Sequence, residues 1–262
     1  MYRAAKIYFV LITFAVLVTF LSVVSKGQNK QGSLAVAEDL NRQAIQKVNA
    51  KEYSAAIGIL NQAIAERPDF SSGHVNLGSA YMLSGKPETA IAHIKKGIEL
   101  NPASFTGYNQ LGVTYESLGK TNLAVEAFQK AIQIKPDYSV GHYNLGCTYL
   151  WANKVKQARV ALERALELDP KNSESRIFLG VVYARLNRLS EAVAEIKKVT
   201  SREPDNDLAN LILCQIYLYG NDRDSALGMY QSFKAVNVPL ADAMFRSIFA
   251  DKVVFASPNP QH

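Results

Sequence analysis

Four histidines and two cysteines are the side chains here with the widest chemical reach, and their placement builds neither a metal centre nor a nucleophile. A metal site needs ligands that converge on one ion, as short Cys-x2-Cys or His-x3-His spacings allow. His74, His93, His142 and His262 show no such spacing, and Cys147 and Cys214 lie far apart. A phosphate-cradling loop, a dinucleotide loop and a nucleophile elbow each have a glycine-spaced signature, and none occurs. The paired lysines Lys95-Lys96 and Lys197-Lys198 read as solvated helix ends, where cations meet the negative end of the helix dipole. The chain is therefore expected to be no enzyme and to use no cofactor and no metal.

The elements that must position any other chemistry are set by a repeat. Prolines fall at 68, 102, 136, 170 and 204, a constant spacing of 34. Alanines at 56, 90, 124, 158, 192 and 226 keep that period through six units. Leucines at 77, 111, 145, 179 and 213 and tyrosines at 81, 115, 149, 183 and 217 keep it through five. A fixed period of this length marks an array of supersecondary units that bury their apolar faces on one another.

One unit can be read in detail from Ser71 to Ser104. Leu77, Gly78 and Tyr81 share one face of a first helix. Gly78, lacking a Cβ, lets a neighbouring helix approach. Gly85 ends the first helix in the left-handed conformation. Gly119, Asn153, Asn187 and Asn221 occupy the same site, and all are residue types that tolerate positive φ. Pro87 suits the first turn of a second helix, Ala90, Ile94, Gly97 and Ile98 give it an apolar stripe, and Pro102 stops it. Each unit is thus predicted to be a helical hairpin.

The third unit reads Tyr108, Leu111, Gly112, Tyr115, Ala124, Phe128, Ala131 and Pro136. This resembles the tetratricopeptide repeat, whose motif is aromatic-x2-Leu-Gly-x2-Tyr, then Ala-x3-aromatic-x2-Ala, then Pro. The end units depart from it, with Gln43 and Lys47 in the first and Cys214 and Phe233 in the last, as capping repeats do. The resemblance implies an all-α solenoid of six stacked hairpins in a right-handed superhelix, over 37–70, 71–104, 105–138, 139–172, 173–206 and 207–240. Leu240, Met244, Phe245, Ile248 and Phe249 then give an amphipathic cap helix over 241–252, or a segment that fills a groove. A tail over 253–262 follows, with Pro258 and Pro260.

The resemblance also implies a binding face, because the first helices line the concave side in this family. Carried over, it places there Asn76, Gln110, Tyr143, Asn144, Trp151, Ile177, Phe178, Arg185, Leu211 and Tyr219. Asn76, Gln110 and Asn144 form a ladder of amides that can bond the backbone of an extended peptide. The apolar and aromatic members of the fourth to sixth units suit a protein hot spot, or pack between helices instead. The carboxylate clamp of chaperone-binding members is not matched: of Asn41, Ile45, Asn76, Thr106 and Gln110, only Asn76 fits. The expected partner is a protein or peptide, with homo-oligomers as the alternative.

Of 262 residues, 29 are Lys or Arg and 23 are Asp or Glu, and the pI is about 9.1. Arg3, Lys6, Lys26 and Lys30 carry four of the six excess charges, so the remaining chain is nearly neutral and no nucleic-acid groove is expected. These cations flank an uncharged apolar run from Ile7 to Val24. As a helix, residues 4–24 approach the ~30 Å hydrocarbon thickness, which predicts an N-terminal transmembrane anchor within 1–25. The alternative is a cleaved signal peptide and a secreted protein, although the run exceeds the usual apolar region of such peptides. Residues 26–36 read as a flexible tether. The charge bias across the span points to a single-pass protein with its repeats outside the cytoplasm.

Overall fold

A computed structural model describes residues 33–249 apart from residue 235. Among these residues there are thirteen helices and no strand. They are α1 (33–49), α2 (Tyr53–Glu66), α3 (Ser71–Leu83), α4 (Pro87–Leu100), α5 (Phe105–Ser117), α6 (Thr121–Ile134) and α7 (Ser139–Trp151). There follow α8 (Val155–Leu168), α9 (Ser173–Arg185), α10 (Leu189–Thr200), α11 (Asp207–Tyr219), α12 (Arg223–Phe233) and α13 (Val238–Phe249). The described residues form two compact units, divided between Thr114 and Tyr115.

The hairpin turns come from one position in each repeat. Gly85, Gly119, Asn153, Asn187 and Asn221 all have positive φ, as their types predict. Lys51 joins them with φ 61°, although its side chain gives no sign of it. After each such residue the next amide reaches back five positions, as Lys86 N does to Tyr81 O (2.9 Å) and Arg188 N to Tyr183 O (2.9 Å). That bond satisfies a carbonyl the helix end would leave unmet. At the other end of the hairpin, Arg67 and Asn101 are extended before Pro68 and Pro102, where proline forbids helix.

In the first unit, α2 packs on α3 and α3 on α4. Ala44, Ala56, Leu60, Leu77 and Ala80 form a core there, and Tyr81 closes on it. A Cβ on Gly78 would stand 2.4 Å from Ile94 Cγ1 and 2.8 Å from the Ala90 carbonyl, so only glycine permits this helix pair. Helix α1 begins by residue 33, which corrects the expected tether: residues 33–36 are helical. Leu34, partly buried, packs against Ala37, Ala63 and Phe70.

In the second unit the hairpins α7/α8, α9/α10 and α11/α12 follow one another, and α7 touches α9 as α9 touches α11. Helix α13 packs on α11 and α12 through Leu240, Met244 and Ile248. It starts at Val238 rather than at 241, because the Asn237 side chain accepts from Leu240 N (3.1 Å) and caps it. Among the described residues no helix is long and apolar enough to cross a membrane. The membrane span read over 4–24 and the tail over 253–262 lie outside the described residues.

Candidate interaction surface

The amides of the first unit are engaged by their neighbours. Asn76 Nδ2 donates to Asn41 Oδ1 (2.7 Å), and Gln110 Nε2 donates to Ser79 Oγ (2.7 Å). Ser79 in turn donates to the Val75 carbonyl (3.1 Å). Each amide has two hydrogens and one carbonyl oxygen, so one hydrogen in each already joins adjacent first helices. Asn144, in the second unit, is half-buried and borders a cavity of about 130 Å³ with Tyr143, Asn172 and Glu174.

A partly buried carboxyl joins α5 to α7. Glu116 accepts from Thr148 Oγ1 (2.8 Å), and burial pushes its carboxyl up to about 7 against the pull of that hydroxyl. Burial also pushes the Cys147 thiol up, with the charges of Glu116 and Glu174 adding to the shift and the Tyr143 hydroxyl opposing it. Tyr143 is raised in turn, chiefly by burial. Burial thus shifts all three toward their uncharged forms: the Cys147 thiol and Tyr143 hydroxyl stay protonated at neutral pH, while Glu116 is about half ionised there.

The apolar strip expected across the fourth to sixth units is largely interior. Ile177 is 2% exposed and Phe178 7%, so of the two places open to them both take the one packed between helices rather than the surface. Phe178 packs edge-on against Tyr143, with ring centroids 5.8 Å apart. The first helices approach so closely in mid-length that side chains there fill the space between them. Leu211 is half-buried against the cluster under α13.

What reaches solvent is the margin of the strip. Trp151, Arg185 and Tyr219 are the last residues of α7, α9 and α11 and hold the same place in successive repeats. Trp151 is 38% exposed, Tyr219 47%, and Arg185 is exposed as well. Arg185 Nη1 donates to the Leu150 carbonyl (3.2 Å), which fixes the guanidinium beside the end of α7. At the opposite ends of α7 and α11, Val140 and Leu208 are exposed too.

Two features escaped the sequence reading. A hollow of about 860 Å³ lies along α6, α7 and α8, with Ile132, Leu145, Tyr149 and Val160 among its lining residues. The exposed Val160 on a second helix was its one signal. The other concerns the histidines. His142 Nε2 donates to the Pro136 carbonyl (3.0 Å), and His74 stands equally to Pro68 (3.3 Å). At the same repeat position Arg176 donates to Pro170 O (2.7 Å) and Asn210 to Pro204 O (2.8 Å). In these four repeats the position carries a donor for the carbonyl of the proline that ended the preceding helix. Among the described residues, no group of three or more His, Cys, Asp or Glu is placed to hold a metal ion.

Three profiles of the tetratricopeptide repeat match the sequence, over residues 78–119, 106–138 and 152–212, so these segments are repeats of that kind. Among solved structures, the fold is similar to PilW, described as a widely conserved type IV pilus biogenesis factor. The two are 17% identical with a TM-score of 0.73, over 81% of this chain and 98% of that one. PilF of Pseudomonas aeruginosa is also 17% identical, with a TM-score of 0.72 over 82% and 99% of the two chains. At such identity the likeness is one of fold. YrrB, described as a TPR protein with an unusual peptide-binding site, is 25% identical with a TM-score of 0.59 over 71% and 97%. No curated protein matches the sequence significantly.

Proposed function

We propose that this repeat protein is a non-catalytic scaffold that binds a protein or an extended peptide on its first-helix face. The observation that carries the reading is the exposed row Trp151, Arg185 and Tyr219 on consecutive first helices. Tryptophan, arginine and tyrosine are the residues most enriched in binding hot spots, because each combines large apolar area with polar contacts. The likeness to YrrB supports a peptide as ligand. In the same reading residues 4–24 hold the protein at a membrane, the repeats lie outside the cytoplasm, and the scaffold assembles or localises an envelope complex.

Crosslinking from the first-helix face in native membranes tests this. Trp151→Ala combined with Tyr219→Ala is expected to abolish capture of a protein that the wild type captures, with helix content unchanged. Undiminished capture would sink the proposal. Reporter fusions at the C-terminus test the topology: activity on the cytoplasmic side alone overturns it.

A self-associating subunit is the second reading, favoured by Phe245. This ring is exposed on α13, 5.7 Å from Tyr230. Here Phe245→Ser is expected to convert a dimer to a monomer in sedimentation, and a wild type that is monomeric at about 100 μM, where a stable dimer of micromolar Kd is filled, removes the reading.

A further inference from the structure

We infer that a basic hollow at the end of α10 binds a dianionic phosphate group. The hollow is about 500 Å³ and is lined by Arg176, Ala194, Lys197, Lys198, Ser201 and Arg202. Two carboxylates stand near these four cations. Glu195 accepts from Arg176 Nη1 (2.6 Å) through one oxygen and from Lys198 Nζ (2.6 Å) through the other. Glu203 is held by Ser173 and by Asn206 Nδ2 (2.8 Å). Counting both carboxylates as charged leaves an excess of two positive charges.

The other contacts of these cations are to neutral groups, apart from the charge of Glu203 that Arg202 also feels. Arg202 Nη2 donates to Ser173 Oγ (3.2 Å) and to the Lys171 carbonyl (3.4 Å). Lys197 Nζ stands 5.9 Å from the centroid of the Tyr217 ring. Arg176 Nη2 is used by Pro170 O, but its Nε–H is buried and has no acceptor among the described residues. A buried donor of this kind calls for an acceptor, because protein interiors rarely leave one unmet.

The fold does not impose this basicity. At the matching positions in α8, Glu163 stands for Lys197 and Glu167 for Ser201, and each pairs with an arginine of its own helix. The dipole of α10 favours Lys197 and Lys198 in its last turn, but it accounts for about half a charge. Arg176 comes from α9 and Arg202 from the loop after α10, so neither is explained by it.

A phosphate monoester or free phosphate fits the excess. It carries close to two negative charges at neutral pH and offers three or more acceptor oxygens in a small volume. A carboxylate or a phosphodiester brings one charge and leaves half the excess unmet. The ligand chemistry is shared by inorganic phosphate and by a phosphorylated side chain, and the two sources are separable.

Calorimetric titration of the full chain at constant ionic strength tests the site, with inorganic phosphate, O-phosphoserine and dimethyl phosphate as probes. Saturable binding of a dianion is expected, with dimethyl phosphate about tenfold weaker. Lys197→Gln is expected to weaken the dianion by about fivefold or more, from the loss of one charge-assisted contact. Arg202→Gln should do the same, and Lys197→Gln guards against a loop disturbed by losing Arg202. Preference for inorganic phosphate supports the site with a free ion as ligand; preference for phosphoserine supports it with a phosphorylated partner. Absence of saturation, equal affinity for dimethyl phosphate, or unchanged affinity in both variants overturns the inference.

Discussion

Thr148 donates from Oγ1 to Glu116 Oε1 at 2.8 Å, so a hydroxyl on α7 is the partner of a buried carboxyl on α5. Burial outweighs this bond and holds the carboxyl at about 7, against 4.5 in the open chain. Between these two values the folded protein keeps a proton that the unfolded chain has lost. Stability therefore falls as pH rises from about 4.5 to 7 and levels off above, by up to ~3 kcal/mol from this group. Glu116→Gln is expected to remove that slope and to be the more stable form at pH 8. Urea unfolding of both forms at pH 5 and pH 8 checks it, and parallel pH profiles would refute it.

Phe178 and Trp151 belong to neighbouring first helices and to different roles. Phe178→Ala empties a buried site and is expected to cost about 3–4 kcal/mol of stability. Trp151→Ala removes a partly exposed ring and is expected to cost about 1 kcal/mol or less, while abolishing partner capture. Denaturation and crosslinking measured on the same two variants separate the roles. A Trp151 variant that unfolds as readily as the Phe178 variant would show the indole to be structural.

Gly85 has φ of 79° and nothing within reach of an added Cβ, so its substitution tests backbone conformation alone. Asn153, Asn187 and Asn221 serve at the same place. Gly85→Asn is thus expected to stay within about 0.5 kcal/mol, and Gly85→Val to lose about 1–2 kcal/mol, since β-branching resists the left-handed region. Gly78→Ala is expected to lose about 2 kcal/mol for a different reason, the contact with Ile94 and the Ala90 carbonyl. Thermal or urea midpoints rank the three, and a Gly85→Asn as unstable as Gly85→Val would contradict the account.

Cys147 and Cys214 are both buried. Burial pushes Cys214 up to about 11, and Cys147 is raised as well, so neither presents a thiolate at neutral pH. Both are expected to resist iodoacetamide in the native protein and to react fully in urea. Intact mass after each treatment decides it, and a native adduct on either would show a local opening.

The hairpins were legible because their punctuation is local: Pro102 stops a helix and Asn187 turns a chain wherever they occur. Lys51 shows the limit, since it adopts the same conformation in the same bonded turn (Glu52 N to Lys47 O, 2.9 Å) without a residue type that signals it. The candidate surface was less legible. Periodicity gives the face of a first helix that carries Ile177 and Phe178, but how nearly the next first helix approaches that face depends on side chains one repeat away. The donors to the proline carbonyls were hidden for a related reason. His142, Arg176 and Asn210 share only the ability to give a hydrogen bond, which no single residue type signals.

Helix α13 stands to α11 and α12 as α11 stands to α9 and α10. It takes the place that the first helix of another hairpin would fill. A repeat array with a bare last hairpin can dock a second chain there head to tail, and such contacts propagate into open filaments because they do not close. With Met244 and Ile248 already seated, a second chain meets α13 there rather than the bare hairpin. Assembly of copies at this end must then use the outer side of α13, where Phe245 is exposed.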